Sequence, residues 1–166
     1  TLIATRTAQQ YADIVLTEAG FGSDLGAEKF FDIKARYGGL DVAGAVIVGT
    51  IRSIKHNAGV AKAELSNENV AALEEGIVNL ERHVENVRKF GVTPVVALNR
   101  FTSDTSAELE FVHAWAKDKG VALAEADVWG KGGDGALKLA QTLLDNLTEG
   151  TSHPLYDPAE LSLIHI

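Results

Sequence analysis

The chain has 166 residues, of which 46% are hydrophobic and 23% charged, with a formal net charge of −8 and a pI near 5.1. That balance fits one domain, or part of a larger one, with a real core, and argues against a nucleic-acid surface, which needs clustered Lys and Arg. Cysteine is absent, so disulfides and thiolate metal sites are excluded. No apolar run approaches the roughly 18 residues of a membrane span, no signal peptide shows, and a cytoplasmic setting is expected.

Methionine is also absent, which leads to the expectation that Thr1 is an internal cut. Thr1 to Ala12 reads as the end of a helix. Asp13 to Thr17, built on Ile14-Val15-Leu16, reads as a short buried strand. A glycine-punctuated loop follows, Gly20-Phe21-Gly22-Ser23-Asp24-Leu25-Gly26, and then a helix from Ala27 to Arg36. Strand, glycine loop and helix together place backbone N–H groups where an anion can sit. The G-x-G-x-x-x-G spacing is one residue too long for a dinucleotide fingerprint, so a tight turn and a ligand loop both remain open. Phe30, Phe31 and Ile33 are expected in the core, and Lys29, Asp32 and Lys34 in solvent.

Ala45 to Ile51, AVIVGTI, is a second buried strand of the near-continuous apolar kind found in parallel sheets. Arg52 to Ala63, with Lys55, His56, Asn57 and Gly59, reads as a loop: a solvated connection or a charged segment at the strand's C-terminal end, where α/β ligand sites lie. His56 stands there without a second ligand at metal spacing. A helix capped by Ser66 or Asn67 follows, with Val70, Leu73, Ile77, Leu80, Val84 and Val87 as its apolar stripe. Gly91 and Pro94 stop it. Val95 to Leu98 is a third strand and delivers Asn99-Arg100-Phe101-Thr102. Thr105 and Glu108 form a capping box for a helix with Leu109, Val112, Trp115 and Ala116 inward. Val121 to Ala126 is a fourth strand. Asp127-Val128-Trp129 and a glycine run, Gly130 to Gly135, open the last helix, Ala136 to Leu147. Thr148 to Glu160 reads as surface chain.

Strand and helix alternate, so the expected fold is α/β. A mostly parallel sheet with flanking helices is expected, in a P-loop-NTPase-like or Rossmann-like three-layer arrangement that is an incomplete fragment. Three strand ends carry loops of unusual make-up: 17–26, 99–104 and 127–135. In a parallel sheet they share one edge, where ligand sites gather. Gly130, Gly132 and Gly135 satisfy G-x-G-x-x-G, but no strand ends in an acidic residue about 20 positions on. A helix N-terminus that binds an anion, with Lys131 as counter-charge, is the preferred reading of that loop. No Walker A motif and no Ser, His and Asp set occurs, so no catalytic residue is assigned.

The run TEAGFGSDLGAEKFFDIK, the stretch ENVAALEEGIVNLERHVENVRKFGVTPVVALNRFTSDT and the segment ADVWGKGGDGALKLA resemble the formate–tetrahydrofolate ligase (formyltetrahydrofolate synthetase) family. The resemblance runs from about Ile3 to about Leu147. It implies an ATP-dependent ligase of one-carbon metabolism that joins formate to tetrahydrofolate through formyl phosphate, giving 10-formyltetrahydrofolate. It further implies a cytoplasmic homotetramer that acts on small molecules, with no nucleic-acid or membrane partner, and that uses Mg2+ and a monovalent cation. Family members carry a G-E-G-K-T-T-like phosphate loop upstream of the stretch present here, so a fragment inactive alone is expected. The resemblance maps the two aromatic walls of the pterin slot onto Phe101 and Trp129, and the adenine site near Gly20, Phe21 and Gly22. Thr102 departs from the family's usual Pro, which puts one edge of the folate slot in doubt. Asn57-Ala58 stands where His-Gly is common, which leaves that loop's role open. The alternatives from other classes are a non-catalytic α/β nucleotide-binding module and a Rossmann-type oxidoreductase.

Residues 1–160 are therefore expected to form one ligase fragment carrying the folate pocket and part of the nucleotide pocket. Leu161 to Ile166, LSLIHI, equals the translation of CTGTCTCTTATACACATC, a transposon end used in sequencing libraries, and is expected to be an adapter or cloning artefact.

Overall fold

Apolar and β-branched runs take the strand positions of a parallel sheet in the computed structural model, which describes residues 1–157. The segment 161–166 lies outside the described residues. The strands are β1 (Ala45–Gly49), β2 (Pro94–Asn99) and β3 (Ala122–Ala126), in the order β1-β2-β3. Ile47 is opposite Val96, and Val96 is opposite Leu123. The central strand β2 is buried from Pro94 to Leu98, as its unbroken apolar run requires of a strand covered on both faces. In β1 only Ile47 and Gly49 are buried, while Val46 and Val48 stay exposed.

The chain enters through α1 (Leu2–Ala8). Asp13 to Thr17 was expected to be a strand and is not one. Among the described residues β1 pairs with β2 alone. A cavity of about 1020 Å³, lined by both Asp13–Thr17 and Ala45–Gly49, lies along the unpaired side of β1. With no ladder to join, Ile14 and Leu16 remain exposed, and the sheet has three strands among the described residues instead of the expected four.

The helix expected from Ala27 starts earlier. Gly22 caps α2 (Ser23–Glu28), which runs through a π-helical stretch, Lys29–Ala35, into α3 (Arg36–Gly38). Wider π turns change which side chains share a face. Asp32, expected in solvent, is therefore buried, and Ile33, expected in the core, is 53% exposed. Phe31 is buried and stacks on Phe90, centroids 4.4 Å apart. Gly39, at φ +58°, ends the helix in the left-handed region.

The segment after β1 was expected to be a loop and is instead α4 (Ile51–Asn57). Thr50 and Ser53 cap each other's backbone: Ser53 N–H donates to Thr50 Oγ1 (2.9 Å) and Thr50 N–H to Ser53 Oγ (3.1 Å). Ile51 and Ile54 then turn inward. The long helix α5 (Val70–Lys89) buries Leu73, Ile77, Leu80, Val84 and Val87 as its stripe demands. Its cap is Asn69, two positions beyond the nearer expected one, because the Asn69 side chain accepts the Ala72 N–H (3.0 Å). Thr105 and Glu108 form the expected box on α6 (Ser106–Asp118). After β3 come α7 (Val128–Lys131), a 3-10 stretch over Gly132–Ala136, and α8 (Leu137–Asp145). Helices α5 and α6 pack on the sheet, and α8 packs across β3 and β2, giving the mixed α/β three-layer arrangement of a fragment.

The segment 148–157 is a strap. Asp41 accepts from Gly150 N–H (2.7 Å) and Ser152 Oγ–H (2.9 Å), Phe90 O accepts from His153 N–H (3.0 Å), and buried Asp32 accepts from Leu155 N–H (2.9 Å). These bonds tie the strap to the segment before β1, to the end of α5 and to the π-helical stretch.

Candidate ligand-binding site

Parallel strands put their C-terminal ends on one edge, and here β2 and β3 end side by side. The Arg100 N–H donates to Ala126 O (2.9 Å), so the loop carrying Phe101 and the loop carrying Trp129 leave the sheet as neighbours. The first loop is tight: Phe101 N–H donates to Asp104 Oδ2 (2.8 Å) and Asp104 N–H returns to Phe101 O (3.1 Å). Burial pushes the Asp104 carboxyl above the usual range, against the opposing pull of the Phe101 N–H and the Arg100 charge. The Phe101 residue is 38% exposed, and the guanidinium of Arg52 lies over its ring, 4.4 Å from the centroid.

In the second loop Asp127 caps α7 by accepting the Gly130 N–H (3.2 Å) and pairs with Lys131 (3.4 Å). At the glycine run read as an anion site, Asp127 takes the Gly130 N–H, Lys131 is paired with Asp127, and α7 is one turn long. Gly135 is fixed by close approach. A Cβ there would collide with the Asp127 carbonyl, and Asp127 N–H donates to Gly135 O (3.1 Å). Trp129 is left 94% exposed. Its ring makes no aromatic contact among the described residues.

Under the same edge Glu125 on β3 accepts from His113 (2.7 Å) and Arg100 (2.5 Å). Burial opposes its ionisation, but those two hydrogen bonds outweigh it and hold its carboxyl below the usual range.

The turn Gly20-Phe21-Gly22 lies apart from both loops. It lines the cavity beside β1, whose walls include neither Phe101 nor Trp129. Gly20 has φ +71° and Phe21 φ +63°. A left-handed aromatic residue is a strained conformation of the kind that collects at ligand clamps. Phe21 is 83% exposed, with Lys29 Nζ 5.2 Å from its ring centroid. Gly26 has no room for a Cβ, which would strike Gly20 O, so the turn is held against the first turn of α2.

The sequence reading placed Arg52 and Lys55 in a charged segment at a strand's C-terminal end and Asp104 in the 99–104 loop, but gave none of them an individual role. Reading 52–63 as a loop hid the helix that carries Arg52 and Lys55, and the T-x-x-S of Thr50 and Ser53 was the signal available. The described residues include no group of three or more His, Asp or Glu able to hold a metal ion. The Mg2+ and monovalent cation implied by the resemblance are thus assigned no residues, and no chemistry is routed through them. Among the described residues no helix is long and apolar enough to cross a membrane.

A family model described as formate–tetrahydrofolate ligase matches residues 1–164. A formate–tetrahydrofolate ligase of Corynebacterium diphtheriae is 58% identical over 168 residues, which cover 99% of this chain and 30% of the relative. One of Staphylococcus aureus strain JH9 is 57% identical over 157 residues, 94% of this chain and 28% of the relative. The chain thus spans under a third of the length of these curated relatives. With the aromatic-bearing loops Phe101–Asp104 and Asp127–Gly135 inside the matched region, the chain belongs to the formate–tetrahydrofolate ligase family.

Proposed function

We propose that this chain is the folate-binding part, and a portion of the nucleotide-binding part, of an enzyme that uses ATP to join formate to tetrahydrofolate. The observation that carries the reading is the pair of solvent-exposed aromatics on one sheet edge. Trp129 is almost wholly exposed and Phe101 more than a third so, each just past the end of a strand whose other apolar residues are largely covered. An exposed Trp covers no core. It is the right surface for stacking a flat bicyclic ring, where aromatic contact adds about 0.5–1.5 kcal/mol to area burial.

The strained Gly20-Phe21-Gly22 turn suits the second ligand. Phe21 offers a ring face to adenine, and Lys29 stands beside it. The formyl phosphate intermediate, the cytoplasmic setting and the homotetramer belong to this same reading and rest on family membership. A non-catalytic nucleotide module would use the glycine turn but would have no work for Trp129.

The test is product formation by the full-length protein that carries this sequence. Formyltetrahydrofolate is expected when ATP, formate and tetrahydrofolate are all present, and not when any one is omitted. Absence of product from the complete mixture, in a folded protein, contradicts the reading.

A further inference from the structure

Arg52 stands where no folate-side role has been given to it. It lies in the first turn of α4, on the element that follows β1, while Phe101 follows β2. Three observations bring them together. The Arg52 guanidinium lies 4.4 Å from the Phe101 ring centroid. Arg52 Nη2 donates to Ser103 Oγ (3.2 Å), two residues along the same loop. Arg52 Nε is sealed from solvent and has no hydrogen-bond partner among the described residues.

A buried N–H without an acceptor carries a cost, offset here by the cation–π contact of the same guanidinium with the Phe101 ring. Arg52 therefore holds both the ring and the backbone of the Phe101 loop. The loop has a second anchor at its base, where Asp104 takes the Phe101 N–H. Asp104 fixes the backbone of Phe101, and Arg52 is what stands against its ring.

From this arrangement we infer that Arg52 is a positioning residue of the folate slot. It backs one face of Phe101 so that the opposite face is presented, already oriented, to the flat ring of the substrate. The inference rests on the reading of Phe101 as a slot wall. Pre-orienting a wall lowers the ordering cost of binding, so its loss appears in substrate affinity rather than in turnover at saturation. The guanidinium suits the task because it is planar and weakly hydrated, and stacks on aromatic faces better than an ammonium.

The experiment is a double-mutant cycle in the full-length enzyme with Phe101→Leu, Arg52→Met and the double variant, together with Arg52→Lys. Arg52→Met is expected to raise KM for tetrahydrofolate about three- to tenfold. The ATP KM and saturating kcat should stay within about twofold, because a residue of the folate wall touches neither. Arg52→Lys, which keeps a cation over the ring, should recover part of the loss. In the Phe101→Leu background Arg52→Met should add nothing further, since its effect runs through that ring. An unchanged folate KM in Arg52→Met, or a full additional loss in the double variant, overturns the inference while leaving Phe101 as a wall. An unchanged folate KM in Phe101→Leu overturns the reading beneath it. Should Arg52→Met not fold, Arg52→Gln removes the cation while keeping a planar polar head, and the same KM rise is expected of it.

Discussion

Lys55 and Glu108 meet as a 2.7 Å ion pair with both side chains closed off from solvent. Lys55 Nζ also donates to Asn67 O (2.9 Å), and the Glu108 carboxylate accepts from Asn69 N–H (3.0 Å) and Thr105 N–H (3.2 Å). The pair joins α4, the entry to α5 and the cap of α6 at one buried point. Removing one partner strands the other charge. Lys55→Met is expected to cost about 3–5 kcal/mol, and Lys55→Met with Glu108→Gln to recover a good part of it. Urea midpoints of the three chains test this. A single variant as stable as the parent would contradict it.

The same carboxylate sets a pH dependence. Burial works against ionised Glu108, but the bonds from Lys55, Asn69 and Thr105 outweigh it and lower its pKa from the ordinary value of 4.5. The folded chain thus holds this proton more weakly than the unfolded chain does, so stability rises with pH through this window. The contribution is fully present above 4.5 and is lost as pH falls through the lowered value. Denaturant midpoints between pH 6 and pH 3 are expected to fall at the acid end, and Glu108→Gln to flatten the fall.

Gly76 sits inside α5 against α4, and a Cβ there would strike Ile54 O. Helix propensity alone favours Gly76→Ala by about 0.8–1 kcal/mol. The clash is with backbone, so α4 must move, at about 1–3 kcal/mol. The net expectation is destabilisation, read as a lower urea midpoint. A stabilised variant would show that the α4–α5 contact is looser than described.

Much of this architecture was legible from residue pattern. The stripe from Val70 to Val87, the box of Thr105 and Glu108 and the run Val95 to Leu98 each carry their structure locally, and the folded chain shows each of them. What was not legible depends on partners. Ile14-Val15-Leu16 has strand composition, but strands need a ladder, and none reaches it among the described residues. Arg52 to Asn57 lacked a long apolar stripe, and its helix rests on a serine at the third capping position, where Glu or Gln is the usual signal. Asp32 and Ile33 exchanged faces because π turns leave no mark in a 3.6-residue pattern. Phe101 and Trp129 were singled out through resemblance. Arg52 behind Phe101 is a tertiary contact between a helix and a loop, which no local pattern encodes.

No Walker A motif occurs in the 166 residues, and the chain spans 30% of the Corynebacterium relative. The chain alone is therefore expected to form no formyltetrahydrofolate from ATP, formate and tetrahydrofolate. Sustained turnover by the purified 166-residue chain would place the phosphate chemistry within it, contrary to this account.

On the proposed reading Phe101 and Trp129 are the two walls of a folate slot. Trp129 is 94% exposed, so Trp129→Ala should move stability by no more than about 0.5 kcal/mol. The decisive measurement is tetrahydrofolate and ATP affinity, determined separately, for Trp129→Ala in the full-length enzyme. Folate binding is expected to weaken about tenfold through loss of one stacking wall, with ATP binding unchanged because the Gly20-Phe21-Gly22 turn is untouched. Unchanged folate affinity, or an equal fall in ATP affinity, would contradict the assignment.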